Sequence, residues 1–295
     1  MKTALTLTCK DCRNPALLQT IRNAGFSGIN FTYDETLFSD ADPEALLRSI
    51  KANLDTAGLA CPQVILPNRG SSASCDYYDP ETEDRIAFAL KTMPVLGAAW
   101  GALQPLSAVN SCYCPEKAMA DNLVRFRKYA ALARQAGVGI AVENPLPLQE
   151  QPEQRFCADP QTLCAFVDQL ALDNVGICWN FGHANHLGKD LFGRNTDTPF
   201  DHAAALRLLG SRVKIVHISD NFGDGHWRLT PGVGKLSEAN LWPELLAILL
   251  KNGFPGFCTL DCDLEQGRRV AGLEHAYLTL SAKASAAYVR AAAAR

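Results

Sequence analysis

The chain has 295 residues, 47% of them hydrophobic and 20% charged, with a formal net charge of -3. That composition supports a large core in a soluble protein, and its charge balance has no general attraction for nucleic-acid phosphates or anionic lipid. No stretch approaches the roughly 18 apolar residues that a membrane span needs.

The segment Met1 to Thr8 starts like a leader, but threonines interrupt its apolar stretch and no small-residue cleavage site follows. It reads as a first strand, and the protein is expected to be cytoplasmic. Seven further strands are expected at 28–32, 60–66, 98–104, 138–143, 175–180, 213–217 and 257–261. Short, continuous apolar runs of this kind suit parallel strands buried on both faces. Helical patterns lie between them at 15–24, 43–57, 81–96, 115–135, 160–170, 200–209, 238–251 and 268 to near 287. Asp42-Pro43 and Asp159-Pro160 pair an N-cap carboxylate with a proline at the first helical position. Gly25, Gly58, Gly137 and Gly253 each follow a helix where a left-handed C-cap is needed. Eight such alternations predict one (β/α)8 TIM barrel domain over 1–295, with an alanine-rich C-terminal tail from about 281. The long irregular stretches 67–79, 105–114, 144–158, 181–199 and 220–236 all follow strands, on the side where such barrels carry function.

The eleven cysteines are an odd number and are scattered through strands and helices, so they read as free thiols. Cys9 and Cys12 form a CxxC without a second pair at zinc-ribbon spacing. Cys112 and Cys114 fall where a thiol would be exposed and oxidisable.

Four of the apolar runs end in polar groups: Glu143, Asn180, His217 and Asp261. A carboxylate at the end of a buried run is costly unless it is paired or binds a cation. Two carboxylates, an imidazole and an amide at one barrel mouth suit a divalent-metal site, with Asp220 a candidate to orient His217. Asp263 shares the strand parity of Asp261, which comes first after the apolar run and is preferred.

The ordered set Ala24 to Ile29, Val142-Glu143-Asn144, Asn180 to His183, Val216 to Asn221, Pro231 to Gly234 and the strand ending in Asp261 resembles the sugar phosphate isomerase/epimerase superfamily. These are the xylose-isomerase-like barrels, which also include AP endonucleases, inosose dehydratases and hydroxypyruvate isomerases. The resemblance implies one divalent metal held by glutamate, aspartate, histidine and glutamate at four strand ends. Glu143 and His217 match that pattern, whereas Asn180 replaces the aspartate and Asp261 the second glutamate. The implied metal set is Glu143, Asn180, His217 and Asp261, for Mn²⁺, Mg²⁺ or Zn²⁺, held more weakly than in relatives or not at all. The implied catalytic set is Glu143, Asp261 and His183, the last touching a substrate oxygen.

The resemblance further implies an isomerase or epimerase of a small sugar, polyol or keto-acid, phosphorylated or not, acting by proton transfer at a metal-polarised carbonyl. One alternative is a catalytically impaired barrel that binds a metabolite. A more distant one is an AP endonuclease-like phosphodiesterase, for which Asp224 and His226 resemble extra metal ligands. No histidine precedes His183, so the early-strand ligands of such a cluster are missing, and Val233 stands where a glutamate is usual. The expected partner is a carbohydrate-like small molecule, with neither nucleic acid nor membrane; homo-oligomerisation is left open. Trp100, Trp179, Trp227 and Trp242 are candidates to wall a sugar pocket or to pack the core. Arg194, Arg228 and Lys235 read first as surface charge, and second as anion-recognising groups.

Overall fold

The computed structural model describes residues 1–67, 80–107, 114–147, 155–187, 200–222, 227–262, 264 and 273–295. Arg194, Asp224, His226, Asp263 and Cys112 lie outside these described residues. The strands are β1 (Lys2–Leu7), β2 (Gly28–Thr32), β3 (Ala60–Ile65), β4 (Trp100–Leu103), β5 (Gly139–Glu143), β6 (Val175–Asn180), β7 (Val213–Ile218) and β8 (Phe257–Leu260). They pair in chain order and in parallel, and β8 closes on β1. The expected barrel is formed, with strand ends displaced by at most two residues from the expected ones.

Helix starts follow the capping chemistry. Asn14, Asp42 and Asp159 accept the N–H three residues on, each just before a proline at the first helical position. Glu35–Phe38 and Phe181–Ala184 are short helices that were not expected, and so is Cys9–Cys12. The capping box of Cys9–Cys12 is legible as Thr8-x-x-Asp11, with the Thr8 hydroxyl and Asp11 carboxylate each accepting the other's backbone N–H. The expected helix at 238–251 is instead two pieces, Lys235–Glu238 and Trp242–Lys251. The last helix, Leu273–Ala293, packs against Pro15–Ala24 and Trp242–Lys251 and buries Leu278, Ala282 and Ala292. Its alanines let it lie close to its neighbours, so the tail completes the outer ring.

Inside the barrel, Ala102, Ala141, Cys178 and Ile215 form a small buried cluster. Side chains two residues apart on a strand point the same way. The next layer up is therefore Gln104, Glu143, Asn180 and His217, at the C-terminal mouth. Small residues below and polar residues above make that mouth a pocket rather than a packed core. The described cysteines are unpaired, and of these only Cys114 is exposed. No helix among the described residues is long and apolar enough to cross a membrane.

Candidate active site

Glu143 closes β5, a strand buried throughout, and its carboxylate is met by three side-chain nitrogens. His217 Nδ1 lies 2.7 Å from Oε1, Asn180 Nδ2 donates to the same oxygen at 3.0 Å, and Gln104 Nε2 donates to Oε2 at 2.9 Å. His217, in the same layer, is fully buried, and its Nε2 lies 3.1 Å from Asn30 Nδ2. In the neutral ring Nε2 accepts from Asn30 and Nδ1 carries the proton toward Glu143; in the protonated ring the Asn30 amide, whose Oδ1 has no partner among the described residues, turns to accept from Nε2. Burial acts to raise the Glu143 carboxyl, but the charge and hydrogen bond of His217 outweigh it and hold it below the usual range. Burial likewise acts to lower His217, and Glu143 reverses that, raising it.

Asn180 is both the end of β6 and the N-cap of the short helix Phe181–Ala184, accepting the His183 N–H at 3.1 Å through Oδ1. Its own N–H donates to Asn144 Oδ1 at 2.7 Å, while Asn144 Nδ2 donates to the Asn180 carbonyl at 3.1 Å. This amide pair ties the ends of β5 and β6 together. The helix can lie against the end of β7 because residue 182 is glycine: a Cβ there would sit 2.2 Å from Ser219 Oγ. His183 Nδ1 is 2.8 Å from the Asn144 carbonyl and must donate to it, which leaves Nε2 as the lone-pair nitrogen of the neutral ring. Burial lowers the His183 pKa and keeps the ring neutral.

Asp261 follows β8 directly and pairs with Arg228, whose NH2 lies 2.6 Å from Oδ1 and whose Nε donates to the Asp261 carbonyl. Arg228 has a φ of 49, in the left-handed region that is rare for a side chain of this size. The two-way backbone bridge between Asp220 and Leu229 clamps the next residue. Asp220 does not reach His217. Its carboxylate accepts from Ser237 Oγ and from the backbone N–H groups of Asn221, Leu236 and Ser237, so Glu143 takes the orienting role expected of it.

Glu143, Asn180, His183, Arg228 and Asp261 line one cavity of about 510 Å³, with Gln104 beside them. A second cavity of about 570 Å³ shares Thr32, Asp34 and Ile65 with it. Each has the size of an ordinary small-molecule site. Of the tryptophans, Trp179 and Trp242 are core and Trp100 sits at the start of β4, away from the mouth; Trp227 is half-exposed beside Arg228. Sequence reasoning passed over Asn30 and Gln104. A buried amide within or just after an apolar strand was the available signal.

Glu143, Cys178 and His217 offer ligand atoms within 4.8 Å of one another, a group that could hold an ion. Burial pushes the Cys178 thiol well above its usual range, so it stays protonated. The four strand-end residues do not fit a metal centre in this arrangement. The only side-chain oxygen of Asn180 is spent on the His183 N–H and its amide nitrogen faces Glu143, while Asp261 is engaged by a guanidinium.

The family described as the xylose isomerase-like TIM barrel matches residues 18–281. No curated protein matches the sequence. Among solved structures, a xylose isomerase domain protein from Alicyclobacillus acidocaldarius superposes with a TM-score of 0.74 at 17% identity over 99% of both chains. The apo form of the E. coli 3-keto-D-glucoside 4-epimerase YcjR gives 0.70 at 16% identity, over 98% of this chain and 99% of that one. The IolI protein with a bound zinc atom gives 0.70 at 16%, over 100% and 99%. Identities this low show a shared fold, on which many reactions are carried.

Proposed function

Since the chain belongs to the xylose isomerase-like TIM barrel family, we propose that it is an isomerase or epimerase of a small sugar, polyol or keto-acid, phosphorylated or not. The observation that carries this reading is the meeting of Glu143, His183 and Asp261 on one cavity of about 510 Å³. Two carboxylates from β5 and β8, with a neutral imidazole between them in the chain, are what proton transfer beside a carbonyl requires.

In this reading Glu143, held ionised, takes the carbon-bound proton and later releases it to solvent, while Asp261, which takes up a solvent proton once it leaves Arg228, delivers one on the far side of the mouth. His183 Nε2 exchanges the proton of the neighbouring hydroxyl; once protonated, it donates to the oxyanion that develops there. Gln104 and Asn180 hold the Glu143 carboxylate in one orientation. Each acid or base contributes about 10²–10⁴-fold. No step is routed through a metal ion, because the donor set does not present itself to one.

The test is exchange of substrate C–H for solvent deuterium, followed by proton NMR over a panel of ketoses, ketose phosphates and keto-acids. The expected result is exchange at one carbon, lost in Glu143→Gln. A second reading, a barrel that binds a metabolite without turning it over, is favoured by how fully Glu143 and Asp261 are engaged. Saturable binding of a panel member without exchange would select it.

A further inference from the structure

We infer that this barrel mouth has no resident divalent cation, and that Asn180 and Arg228 are the residues that exclude one. At a strand end that also caps a helix, an aspartate has two oxygens, one for the helix N–H and one for an ion. Asn180 has a single oxygen, and the His183 N–H at 3.1 Å takes it. A flipped amide would leave that N–H facing an N–H₂ and would set Oδ1 against Glu143 Oε1, so both neighbours select the same orientation. What faces Glu143 is then a donor at 3.0 Å, in the direction from which an ion would approach. The imidazole at 2.7 Å bonds the same oxygen, and Gln104 at 2.9 Å takes the other. The carboxylate is thus solvated by the protein's own N–H groups.

Charge leads to the same conclusion. A mouth with carboxylates at positions 143, 180 and 261 would carry three negative charges and attract a divalent ion. Here one position is a neutral amide, and Arg228 lies 2.6 Å from Asp261. Asp261 is also one methylene shorter than a glutamate, so reaching an ion beside Glu143 would mean leaving the guanidinium.

The inference deepens the proposed function at the same site. It is read without substrate, so it can fail while proton exchange is observed, and the reverse.

The experiment is calorimetric titration of chelator-treated protein with Mn²⁺ and with Zn²⁺, the latter because Cys178 joins Glu143 and His217 in the group a thiophilic ion would use. Thermal melts with and without metal accompany it. Wild type is expected to show no one-to-one binding that Glu143→Ala abolishes, and no metal-dependent shift in midpoint. Asn180→Asp is expected to melt lower than wild type without metal, from carboxylate facing carboxylate. It should recover with Mn²⁺ and bind it at least tenfold more tightly, a difference of about 1.4 kcal/mol. Micromolar or tighter binding in wild type that Glu143→Ala abolishes overturns the inference, as does an Asn180→Asp protein indifferent to metal. If Asn180→Asp does not fold, the wild-type titration alone decides.

Discussion

His217 Nδ1 lies 2.7 Å from Glu143 Oε1 although β6 runs between their strands, and both side chains are buried. The bond spans the barrel interior and ties β5 to β7 beneath the cavity. Removing one partner of a buried pair leaves the other without compensation, at about 3–5 kcal/mol. Glu143→Ala should therefore lower the urea midpoint sharply, and Glu143→Gln, which keeps the shape and one acceptor oxygen for His217 and Asn180, should lower it less. A Glu143→Gln midpoint equal to that of wild type would show that the charge of the pair carries no stability.

The same pair predicts a window of pH. Glu143 is held below its ordinary 4.5, so its contribution is complete above 4.5 and is lost as pH falls through the lowered value. His217 is raised above 6.5, so its contribution is complete below 6.5 and is lost as pH rises through the raised value. Both act fully between those two figures. His217→Asn should flatten the alkaline limb of a plot of stability against pH, and an unchanged limb would contradict the pairing.

His202 opens the helix His202–Leu209 between two rings, with Phe181 stacked at 6.1 Å and Phe200 edge-on at 4.8 Å. Neither ring nitrogen has a partner among the described residues, and burial lowers its pKa to about 4. The unfolded chain binds a proton from 6.5 downward and the folded one does not, so stability is complete above 6.5 and declines as pH falls toward 4. The loss amounts to at most about 3 kcal/mol. His202→Phe should raise the melting midpoint more at acidic pH than at pH near 8. An equal rise at both would remove the titration from the explanation.

Gly182 and Ser219 are coupled by contact. A Cβ on residue 182 would lie 2.2 Å from Ser219 Oγ, a buried hydroxyl without a hydrogen-bond partner among the described residues. Gly182→Ala should cost about 1–3 kcal/mol by overpacking. Ser219→Ala should be neutral or stabilising, because it removes an unsatisfied polar atom. Combined, the two should recover most of the loss, and strict additivity in urea melts would count against the contact.

DNA is expected not to be a substrate. The net charge is -3, and the mouth has three N–H donors and a guanidinium bound to its own carboxylates rather than a cluster of metals. Incubation with an abasic-site duplex should give no strand cleavage above buffer. Cleavage abolished by Glu143→Ala would reverse this reading.

Much of the architecture was legible in the sequence because it rests on local rules. Apolar runs broken by capped helices determined eight parallel strands, and parallel strands bring their C-terminal ends to one side. A period of two then stacks Glu143 over Ala141, Asn180 over Cys178 and His217 over Ile215, so their meeting at the mouth followed from the chain alone. What each polar group does there depended on partners remote in sequence. Asn30 reaches His217 across 187 residues, Gln104 reaches Glu143 across 39, and Arg228 leaves the surface role expected of it to bind Asp261 across 33. Periodicity specifies the side on which a side chain emerges. Only the closed ring sets the distances and angles that decide which atom of Asn180 faces the helix and which faces the carboxylate.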